Sequence, residues 1–219
     1  MRGQRISSWE RWCTEMMRRV YFSSLIFACL LLGCTTDRSQ PKAIALATTT
    51  STQDSGLLDV LLPAFEQESG VKVKVVAVGS GQALELGRRG DADVLLTHSP
   101  EAEKKFMDEG WGEKRLAVMH NDFVIVGPAE DAFCDRATYL ALRNEVELVV
   151  LVEGDERLVN RYSVITVSPE KHPHVQRNEA SRFADFLLSP SGQKIIGAFG
   201  IERYGQALFF PDAQSAVRD

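Results

Sequence analysis

Between residues 43 and 127 the chain alternates short apolar runs with segments whose apolar residues recur at helical spacing, and few folds accept that order. Residues 43–47 (AIALA) read as a short buried strand and 48–55 as a polar turn. Leu57, Leu58, Leu61, Leu62 and Phe65 share one helical face, with Asp54 or Ser55 to cap the helix, Gly70 to stop it and Pro63 to kink it. Residues 71–78 (VKVKVVAV) begin with strict alternation and end apolar, which predicts a strand buried at its far end. A turn at 79–81, a helix over 82–89 and a strand over 93–97 follow. Ser99 and Pro100 predict the cap and first turn of a helix through Glu109, whose alternating charges suit a solvated face. Residues 122–127 predict another strand. This β-α-β-α-β-α-β order argues for a parallel or mixed α/β sheet with helices on its faces. Farther on, 148–152 and 162–167 read as strands and 179–188 as a helix. Ser189-Pro190 caps a second helix ending at Gly197 or Gly200.

Upstream, residues 20–33 (VYFSSLIFACLLLG) form an unbroken apolar or small-residue run behind Arg18 and Arg19. That run has signal-peptide length and falls short of the roughly 20 residues a bilayer span needs. Glu10 and Glu15 sit unusually close before it, which points to translation starting at Met16 or Met17. One long apolar run excludes a polytopic membrane protein, and a 44% hydrophobic content excludes a disordered chain. Without residues 1–33 the remaining 186 carry 20 basic and 28 acidic side chains, net −8. Such a charge disfavours nucleic acid as a partner, and no Lys/Arg cluster opposes it. Any anion is therefore held by dipoles and hydroxyls.

The run ends Leu31-Leu32-Gly33-Cys34, which resembles the lipobox of bacterial lipoproteins, where the cysteine is acylated and becomes the first residue. Lipid on Cys34 would anchor the protein to a membrane face at the periplasm or cell surface, each buried methylene contributing about 0.8 kcal/mol. Cys13 and Cys29 leave with the leader, so Cys134 has no intramolecular partner and a disulfide framework is excluded.

Two turns suit an anion. Residues 48–52 (TTTST) lie between the end of a strand and a helix, where open α/β sheets gather ligands against free N–H groups. Gly79-Ser80-Gly81-Gln82 occupies the matching place after the next strand. Side by side they would surround a tetrahedral oxyanion with neutral donors. Hydroxyl residues also serve in turns and caps, but two such turns at matching positions favour function. The Gly79-Ser80-Gly81 start is not a dinucleotide fingerprint, because Leu84 stands where a third glycine belongs. His172 and His174 lack the cysteine or carboxylate company a metal needs and read as a solvated loop. His98-Ser99 and His120-Asn121-Asp122 hold residue types that hydrolases use, without a nucleophile elbow. Nothing activates Cys134, for which pairing between chains is the more plausible fate. No catalytic residue is predicted.

ATTTSTQDSGLLDVLLPAFE, VGSGQALELGRRGDADVLLTHSPEAEKKFMDEG and NDFVIVGP resemble the tungstate-binding, substrate-capturing component of bacterial ABC transporters, as do LVEGDERLVNRYSVITVSP and SRFADFLLSPSGQKIIGAFG. The resemblance implies a type II periplasmic-binding-protein-like fold: two α/β lobes closing on tungstate or molybdate, without a cofactor, for delivery to permease subunits. By it, Thr49, Thr50 and Ser51 bind the oxyanion from lobe one, with Ser80 and Gly81 from the second turn. Residues 123–127 become the outgoing hinge strand and 162–167 the returning one. The family then places a second-lobe motif S-R-G-D-x-S-G-T that supplies serine and arginine ligands. Here 127–131 run within a few residues into Asp135-Arg136-Ala137-Thr138-Tyr139-Leu140, and that motif is absent. The implied organisation is a leader (1–33), a linker (34–42), lobe one (43–127), a lobe-two remnant (128–147) with a deletion seam near 132–134, and returning hinge strands with C-terminal helices (148–219). The competing expectation is a remnant of the same ancestry that binds nothing, or only docks a permease or sensor.

Overall fold

The computed structural model describes residues 42–127 and 132–213. The leader, Cys34, the linker up to residue 41 and residues 128–131 lie outside the described residues. In chain order the elements are β1 (Ala43–Thr49), α1 (Thr50–Asp54), α2 (Leu57–Ser69), β2 (Lys72–Val78), α3 (Ser80–Arg89), β3 (Val94–Thr97), α4 (Pro100–Asp108) and β4 (Gly112–Gly127). Then come β5 (Ala132–Asp135), α5 (Arg136–Leu142), β6 (Val149–Val152), a 3-10 turn (Glu156–Leu158), β7 (Val159–Val167), α6 (Arg177–Leu188), α7 (Pro190–Ala198), α8 (Ile201–Tyr204) and β8 (Phe210–Pro211).

The sheet runs β2-β1-β3-β7-β4-β5, with β6 and β8 also paired to β4. β1 pairs parallel with β2 and β3, because the helices between them return the chain to the same end. β7 is antiparallel to β3 and to β4, so the sheet is mixed. Along β1, β3 and β7 neighbouring residues enter opposite cores. Leu46, Leu96 and Val164 pack with Phe65, Phe183, Leu187 and Ile196 beneath α2, α6 and α7. Ala47, Leu95 and Ile165 pack with Leu84 and Phe106 beneath α3 and α4. Helices on both faces explain why β1 and β3 are apolar along most of their length. Phe65 and Phe183 meet edge to face at 5.0 Å.

β4 changes partners along its length. Residues 112–122 pair with β7, and beyond them Val126 pairs with Ala132 on one edge and Val150 on the other. The expected strand began at 122, ten residues after Gly112, where β4 begins. Register shifts between Gly112 and Lys114 and between Ala117 and Met119 break the two-residue period that would have revealed it.

Other local expectations also change. Thr48 and Thr49 extend β1 and residues 50–54 wind into a helix in place of a turn. Ser80 and Gly81 belong to α3, with Gly79 as its cap. β2 is an edge strand, so its apolar end is not buried and Val76 stays 39% exposed. Ser99 makes no side-chain cap; its N–H donates to Glu103 Oε1 at 2.9 Å. Glu103, expected on a solvated face, is fully buried and also accepts from Thr97 Oγ1 and Arg115 Nε, both at 2.8 Å. The loop histidines close the end of α3: His172 Nε2 lies 2.8 Å from the Arg88 carbonyl oxygen and His174 Nε2 2.9 Å from that of Gly90.

Candidate functional site

β1, β2 and β3 end at one edge, with Thr49 in register with Val78 and Thr48 with Leu96. Thr48 Oγ1 donates to the Leu96 carbonyl at 2.8 Å and ties two of these ends together. Thr49 caps α1: its Oγ1 accepts from the Thr52 N–H at 3.3 Å and lies 2.6 Å from Thr52 Oγ1 and 3.1 Å from Ser51 Oγ. Ser51 Oγ in turn lies 3.5 Å from His98 Nε2, one residue past β3. Thr49 and Thr52 are buried, Ser51 and His98 half-buried.

The structure thus joins Thr49 and Ser51, and commits the Thr49 hydroxyl largely to capping. Thr50 is exposed and, among the described residues, its side chain makes no hydrogen bond. Ser80 is half-buried and Gly81 exposed at the start of α3, brought beside the hydroxyl turn by the β1–β2 register but not bonded to it. Gly79 has no side chain to cap the helix, and its N–H donates to Gln82 Oε1 at 3.4 Å. The first-turn N–H groups of Ser80 and Gly81 have no intrahelical acceptor, as at any helix start.

Strands β4 and β7 bring in residues that the sequence did not link to this turn. Asn160 Nδ2 donates to Asn121 Oδ1 at 2.9 Å and to Tyr162 Oη at 3.2 Å. Asn121 Nδ2 donates to Asp135 Oδ1 at 3.4 Å. The Asp135 carboxylate, 8% exposed, also accepts from Thr138 N–H at 3.0 Å and from Thr138 Oγ1 at 2.6 Å, which caps α5. The His98 ring packs on Tyr162 with centroids 4.8 Å apart. Burial holds His98 below the usual imidazole range against the opposing pull of Asp135 and Glu103. Burial, then Asp135, pushes the Tyr162 phenol well above its usual range despite the hydrogen bond from Asn160. The same two causes raise the Cys134 thiol, consistent with an inert cysteine. Residues 160 and 162 share a face by strand alternation, but only the pairing of Asn121 with Asn160 reveals the network. Among the described residues no group of three or more histidines, cysteines or carboxylates is placed to hold a metal.

The open sheet with helices on both faces, and a polar cluster at the ends of its parallel strands, define a solute-binding domain with a truncated second lobe. A PBP superfamily domain matches residues 35–141. Tungstate-binding protein TupA of Peptoclostridium acidaminophilum is 34% identical, over 86% of this chain and 96% of that protein. The solved tungstate-binding protein TupA from Desulfovibrio alaskensis G20 superposes with a TM-score of 0.72 at 31% identity, over 78% of this chain and 99% of that one. The tungstate ABC transporter structure from Geobacter sulfurreducens gives 0.67 at 33%, over 72% and 98%. The chain belongs to the family of tungstate-binding substrate-binding proteins of ABC transporters. Membership makes it a binding component and not an enzyme.

The first of those alignments also measures the truncation. It runs for 273 positions yet takes in 86% of 219 residues, about 188, so about 85 positions of the relative have no counterpart in this chain. Among the described residues, no helix is long and apolar enough to cross a membrane.

Proposed function

We propose that this chain is an exported solute-binding lipoprotein, tethered through Cys34, whose first lobe takes a tetrahedral oxyanion for permease subunits. Tungstate is the primary ligand and molybdate the second. Thr49, Thr50 and Ser51 face the anion from the β1–α1 junction, and Ser80 and Gly81 from the start of α3. What supports this reading is that the hydroxyl turn and the start of α3 follow the ends of neighbouring parallel strands, in a chain of this family. Among the described residues no lysine or arginine is bonded to the hydroxyl turn, and the donors there are neutral.

Affinity is reduced because the opposite jaw is largely gone. A deletion with its seam near 132–134 removes the family's second-lobe serine and arginine ligands. Each lost charge-assisted bond costs roughly 1.5–3 kcal/mol, and the two together about two to four decades of affinity.

Calorimetric titration of the full chain in detergent with tungstate, using sulfate as control, tests this. About millimolar tungstate binding that weakens further in Ser51→Ala is expected. Submicromolar binding would refute the weakening, and absence of binding to either anion would refute capture. Mass spectrometry of the mature N-terminus checks the acyl groups on Cys34.

A further inference from the structure

Resting on the reading of the hydroxyl turn as the anion's seat, we propose that His98 is a positioning residue of the site. As a doubly charged tetrahedral oxyanion arrives, the imidazole takes up a proton from solvent and turns the Ser51 hydroxyl toward the ligand.

Strand register brings the histidine to the turn. Leu96 of β3 pairs with Thr48 of β1 in parallel, so both strands leave the sheet at one edge. Just past β3, His98 Nε2 lies 3.5 Å from Ser51 Oγ, at the outer limit of a hydrogen bond. Ser51 Oγ is also 3.1 Å from Thr49 Oγ1. The imidazole is half-buried and rests on the Tyr162 ring, with centroids 4.8 Å apart. One carboxylate clamps the segment that carries it on both sides. Glu103 Oε1 accepts from Thr97 Oγ1 at 2.8 Å and from the Ser99 N–H at 2.9 Å, while Oε2 accepts from Arg115 Nε at 2.8 Å. Glu103 is fully buried, and desolvating a carboxylate is unfavourable in itself. Its burial fixes the path of residues 97–99, and with it the aim of the imidazole.

The step follows from the two forms of the ring. A neutral imidazole with a bare Nε2 accepts the Ser51 O–H, which is then lost to a ligand. Once Nε2 carries a proton, both ring nitrogens donate. The Nε2–H then points at Ser51 Oγ, and the Ser51 O–H is free to donate to the oxyanion. The same proton places one positive charge beside donors that are otherwise neutral. Burial holds the free imidazole below its usual range, so the ring stays neutral until a ligand compensates the charge. Around it, Asp135 and the Arg115-paired Glu103 favour the proton. Tyr162 remains a neutral phenol. Asp54 is exposed at the end of α1, and Ser80-Gly81-Gln82 at the start of α3 carry no charge.

Calorimetric titration of the full chain in detergent with tungstate, from about pH 8.5 down to about pH 6.5, tests this. At about pH 7.5 it is repeated in Hepes and in Tris, whose ionisation enthalpies differ, so that proton uptake appears as a difference in heat. The expected result is uptake of up to one proton per tungstate and an affinity that rises as pH falls. The gain approaches about tenfold per pH unit and totals about tenfold to a hundredfold, the worth of one charge-assisted hydrogen bond. His98→Gln still reaches Ser51 but takes up no proton, and its affinity is flat with pH. A readout without a variant is the wild-type His98 titration followed by NMR, which moves to higher pH when tungstate is bound. Flat wild-type affinity with equal heats in the two buffers overturns the proposal and leaves the oxyanion reading standing. A pH response that persists in His98→Gln, or an unmoved His98 titration, assigns the proton elsewhere and overturns it too. No tungstate binding at any pH overturns the oxyanion reading and this proposal with it.

Discussion

β1 (AIALATT) and β6 (VVLV) are both short, apolar strands, yet β1 is buried along most of its length while three of the four β6 residues stand exposed. β1 has a strand on each side and helices on both faces. Among the described residues β6 pairs only with β4; its own Val149 (59% exposed) and Leu151 (51%) face solvent together with Phe133 (60%) of β5. Apolar composition is equal or greater in β6, so composition did not decide burial. Neighbours did. β1 is covered on every side, whereas β5, α5 and β6, among the described residues, pack chiefly on β4.

The sharpest way to break this contrast is amide hydrogen exchange. Amides of β1, β3 and β7 should exchange only through global unfolding, and those of β5 and β6 through local opening at least about a thousandfold faster. Matching rates would show the remnant to be part of one cooperative unit. Next in size are aromatic truncations. Phe65→Ala or Phe183→Ala should cost about 3–5 kcal/mol in denaturant midpoint analysis, and Phe133→Ala less than about 0.5 kcal/mol.

A glycine pair refines the comparison. Gly90 and Gly154 both have φ +75°, and a Cβ on Gly154 meets nothing within 4 Å. On Gly90 it would fall 2.7 Å from His172 Nδ1 and 2.9 Å from His174 Cε1. Gly154→Ala should therefore cost the left-handed strain alone, about 1–2 kcal/mol. Gly90→Ala should add the loss of two histidine caps, about 1 kcal/mol each, read as a lower melting temperature.

The smallest effect is a pH dependence that links the two regions. Because His98 titrates below its unfolded value, its contribution to stability is complete above about pH 6.5. As pH falls from there toward the folded value, the unfolded chain takes up a proton that the folded one refuses, and stability declines. His98→Gln should flatten this part of the stability profile. Asp135→Asn should extend the decline to lower pH, because one influence raising the His98 value is gone.

Residues 43–127 were largely legible in the sequence because their longer helices carry their own periodicity and stop signal, as in Leu57–Ser69 with Gly70 behind it. The start of β4 was not, since bulges erase its alternation. Glu103 sits in a run of charges and looks solvated until Thr97 and Arg115 surround it. Of the site, Thr49 and Ser51 were legible as hydroxyls between a strand and a helix. Asn121, Asn160, Tyr162 and Asp135 were not legible as a network, being strand or cap residues brought together by register across 14 to 39 residues of chain.

The amino-acid sequence by itself determined the α/β class, the family and the absence of the second-lobe motif. These depend on local period, turn residues and contiguous segments, all carried by neighbours along the chain. Only the tertiary structure decided which strands are covered, which hydroxyls are already spent on caps, and where the charge of Asp135 falls. Burial and electrostatics depend on distances between elements far apart in the chain, and those exist only once β4 and β7 cross.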